Sequence, residues 1–146
     1  MKRLLAFLMI ALCLLTAAGC GQTEEVNLIP DEILSPVAIY STAMNIFQSP
    51  KDYVGKAVQA EGQAYYSTDS STGYYIRISD STACCFVDLE LQLAEGIQYP
   101  ADQSYFQVFG KISSYDAADG RTVVRIEGDR VLYEDELRAM YEEEEE

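Results

Sequence analysis

Residues 80–92 alternate strictly. Ala83, Cys85, Val87, Leu89 and Leu91 share one face of an extended chain, and Cys84, Phe86, Asp88 and Glu90 share the other. This predicts a strand with one wholly apolar face, central because hairpin-like patterns flank it. Before it, residues 56–66 place Val58, Ala60, Gly62, Ala64 and Tyr66 inward, and the mid-strand Gly62 marks a bulge or bend. A turn cluster over 67–73 then leads to Tyr74, Ile76 and Ile78, alternating with Tyr75, Arg77 and Ser79. After it, 93–102 loses the alternation and predicts a connection or a short helical turn. Phe106, Val108, Gly110 and Ile112 then point inward, 115–120 turns, and Val124 and Ile126 return. The two hairpins superpose, Gly62 to Arg77-Ile78 on Gly110 to Arg125-Ile126, so one architecture occurs twice around a middle strand.

Ahead of the strands, Ser35-Pro36 has the form of an N-cap followed by proline at the first helical position. Val37, Tyr40, Met44 and Phe47 recur at helical spacing, predicting a helix over 36–47 that ends at Ser49-Pro50. Five short, bent strands with a longer link between the third and fourth predict an all-β domain, a five-stranded OB-fold-like barrel with an N-terminal helix capping one end. The competing architecture is another small five- or six-stranded barrel or sandwich.

The ends of the chain differ in kind. Met1-Lys-Arg is positive, residues 4–15 are apolar but short for a membrane span, and Thr16-Ala-Ala-Gly-Cys20 offers small residues for processing, the pattern of a signal peptide over 1–19. The Ala-Gly-Cys ending resembles the lipobox of bacterial lipoproteins, which implies that Cys20 takes a diacylglyceryl group on its sulfur, with fatty acyl chains such as palmitate. Such an anchor would hold the protein on the extracytoplasmic face of the cell membrane. An ordinary secretory peptide with an incidental cysteine is the alternative. Residues 20–35 lack a sustained period and predict a tether, 36–133 the domain with its helix, and 134–146 a solvated acidic tail ending in a run of glutamates.

The chain of 146 residues carries a formal net charge of −14, and losing Lys2 and Arg3 with the leader makes it two units more negative. Such a surface repels polyanions and predicts no nucleic-acid partner. Without histidine there is no Ser-His-Asp triad and no histidine-based zinc site, so no catalytic residue and no cofactor are indicated.

Cys84 and Cys85 are the unusual chemistry. With Cys85 inward and Cys84 outward, three readings stand: buried thiols packing as hydrophobes, a strained vicinal disulfide acting as a redox switch, or thiolate metal binding. Cys84 and Asp88 lie about 13 Å apart in an extended strand, too far to share an ion, and Asp88 and Glu90 read as a solvated face. One outward thiolate cannot fill a tetrahedral shell, so this placement predicts no metal site and no zinc-dependent stabilisation. The outer face of the second and third strands, with Tyr75, Arg77, Cys84 and Phe86 framed by the 67–73 and 115–120 turns, is the candidate binding face.

Ser49-Pro-Lys-Asp-Tyr-Val-Gly-Lys-Ala-Val-Gln-Ala-Glu-Gly62, Asp80-Ser-Thr-Ala-Cys-Cys85 and Phe106-Gln-Val-Phe-Gly110 resemble small OB-fold lipoproteins of Gram-positive bacteria. They are also similar to the Cys-Cys-bearing barrel at the C-terminus of a permease-associated family of unknown function. The resemblance covers about residues 50–130. It implies a non-enzymatic binding or accessory module serving a transporter or envelope complex, with an envelope or permease protein as partner. The alternative is a thiol redox or metal-handling protein centred on Cys84 and Cys85.

Overall fold

The computed structural model describes residues 25–29, 36–69 and 72–144; the signal peptide expected over 1–19 and the acylation candidate Cys20 lie outside them. Among these residues the protein is mostly β: six strands and two helices. The strands are β1 (Glu25–Leu28), β2 (Ala57–Ser67), β3 (Gly73–Ser79), β4 (Phe86–Leu93), β5 (Tyr105–Asp116) and β6 (Thr122–Tyr133). The helices are α1 (Pro36–Gln48) and α2 (Glu134–Glu144), with a 3-10 turn at Pro50–Asp52. No helix among the described residues is long and apolar enough to cross a membrane.

Pairing runs β2–β3–β4–β6–β5 and returns to β2; within this circuit only β4–β6 is parallel. The long β2 makes the circuit possible by changing partners along its length. Its first half lies between β1 and β5, and from Gln63 onward it pairs with β3. The change occurs at Gly62, where a Cβ would sit 2.5 Å from the backbone oxygen of Arg77, so only glycine permits the approach. At Gly110 the conflict is sharper, 2.1 Å from the Glu127 oxygen, beside the irregularity in the β5–β6 register at Phe109/Gly110.

The inward positions of the alternating segments form the core. Val58, Ala60, Ala64, Ile76, Ile78, Val87, Leu89, Leu91, Phe106, Val108, Ile112, Val124 and Ile126 are all buried. Each large one contributes roughly 1.5–3 kcal/mol by leaving water. Tyr66, expected inward, is exposed.

The helix forms where expected, but its buried stripe is Ile39, Ala43 and Ile46, while Val37 and Phe47 are each 55% exposed. The true stripe is rotated by about 100°, one residue of helix, from the expected one. Tyr40 and Met44, members of the expected stripe that border the true one, pack partly against the core.

Three further expectations change. The strand drawn from residue 80 begins at Phe86, because Ser79 pairs with Phe86 and residues 80–85 form the turn joining β3 to β4. The tether of 20–35 contains β1, whose Val26 and Leu28 are buried against the core as Glu25–Leu28 runs parallel to Ala57–Ala60. The acidic tail is a helix over Glu134–Glu144, docked by its buried Leu137 against β5 and β6. Three acids in its first turn complement the helix dipole, and the Glu136 carboxylate accepts the Tyr133 backbone N–H at 2.8 Å, as in a capping box. Farther along, the Tyr141 hydroxyl donates to Glu61 at 2.7 Å.

Candidate functional site

The turn between β3 and β4 is organised by the Asp80 carboxylate. Its Oδ1 accepts the backbone N–H of Thr82 and of Cys84, each at 3.1 Å, an Asx-turn arrangement that folds the chain back over the side chain. The backbone closes the loop with Asp80 N–H to Cys85 O at 3.0 Å and Ala83 N–H to Asp80 O at 3.1 Å. Ala83 consequently sits in the left-handed region at φ 54°. This breaks the alternation, so Cys85 is not inward. Both cysteines are free and exposed, with their sulfurs 3.4 Å apart. The reading of Cys85 as a core thiol is therefore overturned, as is the argument that only one thiol faces outward.

The electrostatics of the turn are negative. Desolvation raises the Asp80 pKa, but hydrogen bonds from Cys84, Thr82 and the Cys85 and Thr82 backbone outweigh it and hold the carboxyl below its usual value. The Cys85 thiol is pushed up, first by its hydrogen bond with Cys84, then by that neighbour's charge, by desolvation and by Asp80. On α1, the Tyr40 phenol is also raised, by desolvation and then by the charges of Cys85, Asp80 and Cys84. Reactive cysteines need an electropositive setting that favours thiolate, and this turn supplies the opposite to Cys85.

Tyr75, Arg77 and Phe86 do share the outer face of β3 and β4, but Arg77 is already committed. Its guanidinium forms two 2.8 Å hydrogen bonds to the Asp88 carboxylate. It is held between the Tyr65 ring, 4.2 Å from the centroid, and the Phe86 ring at 3.9 Å. The bond to Asp88 is the main reason the Arg77 pKa is raised, against the opposing effect of desolvation. Next to it, Arg125 pairs with Glu90 at 3.2 Å, stacks on Tyr115 at 4.2 Å and bonds Gln92. Tyr115 donates to Glu90 at 2.7 Å. Asp88 and Glu90, expected to be solvated, are instead ion-paired and less than a quarter exposed at their side chains.

No protein-family model matches the chain, and no curated protein matches it.

A groove of about 710 Å³ separates this face from the β5–β6 turn, with Tyr75, Asp88, Glu90, Tyr115, Asp119 and Arg121 among its walls. Arg121 is itself bound to Asp119 at 2.7 Å, so the arginines at the groove are each paired with a carboxylate. What remains for a ligand is mainly aromatic surface and hydrogen-bonding groups. Sequence reasoning missed Tyr65, Arg125 and the Tyr66–Tyr74–Tyr99 stack, whose successive ring centroids are 4.7 and 4.1 Å apart. The alternation of β2 and β6 places Tyr65 and Arg125 outward and so marked them. Nothing local marked Tyr99, which reaches the stack from the irregular connection after β4.

Proposed function

We propose that this chain is a membrane-anchored, extracytoplasmic lipoprotein whose folded part is an OB-fold-like barrel acting as a non-enzymatic binding or accessory module for an envelope or transport protein. The barrel reading is supported by the circuit β2–β3–β4–β6–β5–β2 with its one parallel join, the strand order of a five-stranded Greek-key barrel. The observation that carries the functional reading is the groove between the β3–β4 face and the β5–β6 turn, where such barrels bind their ligands. Its compensated charges and tyrosine walls suit a peptide segment of a partner protein over a polyanion.

The test is a photo-crosslinking residue placed at Tyr75 in the groove, or at Lys111 on β5, in cells. One envelope protein captured from Tyr75 and not from Lys111 is expected; equal capture from both, or none from either, counts against the groove. Anchoring is tested separately by fatty-acid labelling, which Cys20→Ala should abolish along with membrane retention.

A second reading, thiol redox, is favoured by the exposure and 3.4 Å separation of the cysteine sulfurs. Thiol titration of protein isolated without reductant separates the two: two titratable thiols support the binding module, and a reductant-dependent pair supports redox.

A further inference from the structure

We propose that Asp80, Cys84 and Cys85 form an exposed three-ligand site for a thiophilic divalent cation of the Zn²⁺ class, with its fourth position open. One oxygen of Asp80 and the two sulfurs all lie within 4.8 Å of one another. A tetrahedral zinc ion with sulfur at about 2.3 Å and oxygen at about 2.0 Å needs S···S near 3.8 Å and S···O near 3.5 Å. The Cys84 sulfur lies 3.4 Å from Asp80 Oδ2 and 3.4 Å from the Cys85 sulfur. The first edge already fits, and the second needs an opening of about 0.4 Å, well within the reach of side-chain rotation.

The turn also sorts the two oxygens of Asp80. Oδ1 is taken by the N–H groups of Thr82 and Cys84, while Oδ2 lies beside the Cys84 thiol; the Thr82 hydroxyl, 3.1 Å from both oxygens and from the Cys84 sulfur, braces the carboxylate against that thiol. Metal-ligating carboxylates are commonly held by such outer hydrogen bonds. Two sulfurs and one carboxylate oxygen favour a borderline, thiophilic ion over Mg²⁺ or Ca²⁺, which prefer all-oxygen shells. Each thiol gives its proton to solvent as its metal–sulfur bond forms, and the carboxylate binds as the anion, so no electron is transferred. An exposed shell of three ligands differs from a closed structural site: water or a donor from another protein completes it, which suits loading and release.

This inference concerns the tip of the β3–β4 hairpin and stands independently of the groove. It is tested on the full chain, reduced, by titration with Zn²⁺ and with Cd²⁺ in excess Mg²⁺, so that the acids of α2 are occupied by the hard cation. One Zn²⁺ per chain is expected, together with ultraviolet absorption from cadmium–thiolate bonds. Cys84→Ser and Cys85→Ser should each weaken binding by about tenfold or more and reduce that absorption. Asp80→Asn keeps Oδ1 as acceptor for the turn; it should weaken Zn²⁺ by about tenfold and leave the thiolate band intact. Binding that survives both cysteine substitutions, absence of the thiolate band, or parent-like binding by Asp80→Asn overturns the site.

Discussion

Ala83 carries a backbone cost that the rest of its turn imposes. At φ 54° its Cβ crowds the following carbonyl, a conformation that glycine adopts freely. Ala83→Gly is therefore expected to stabilise the protein by about 1 kcal/mol, read as a higher urea midpoint at unchanged slope. Gly62→Ala should do the reverse and cost about 2 kcal/mol or more, since its Cβ would meet backbone that cannot step aside. Within residues 80–92 the alternation misled only where it had little apolar content to read. Ala83 and Cys85 are small residues that tolerate water, whereas Asp80-Ser-Thr82 is turn chemistry. Once Phe86 opens β4, the large residues Val87, Leu89 and Leu91 obey the pattern. Arg77 was legible as outward, but Asp88 was not legible as its partner. Their pairing depends on register, and register depends on knowing that residues 80–85 are loop.

The helices show a different limit of periodicity. Pro36–Gln48 carries two adjacent apolar stripes, and the one centred on Ile39, Ala43 and Ile46 won because its residues fit against β1, β3 and β4. Ile46→Ala should cost about 3 kcal/mol, while Phe47→Ala should change stability by no more than about 0.5 kcal/mol; paired chemical denaturation decides between the stripes. In α2 the glutamate-rich composition hid a single apolar anchor. Leu137→Asp is expected to undock the helix, raising amide exchange across 134–142 while β5 and β6 stay protected. β1 was obscured because Val26 and Leu28 are too few to establish a period.

At the scale of the molecule, the five strands of the circuit were readable one by one, but the parallel join of β4 to β6 was not, since it is made between segments far apart in sequence. The net charge of −14 acts on this whole assembly. Raising KCl from about 10 to 150 mM shortens the screening length from about 30 to 8 Å and should raise the thermal midpoint by relieving self-repulsion. A midpoint that falls instead would show that paired charges such as Arg77–Asp88 outweigh the net field.

β1 also sets a length. On the proposed anchorage at Cys20, residues 21–24 are all that separate the acylated cysteine from the first strand. Fully stretched, that leash reaches about 17 Å, against roughly 55 Å had the chain stayed unpaired to the start of α1. The domain would ride at the headgroups and search for its partner in two dimensions, meeting only proteins that present their binding segment at the membrane surface.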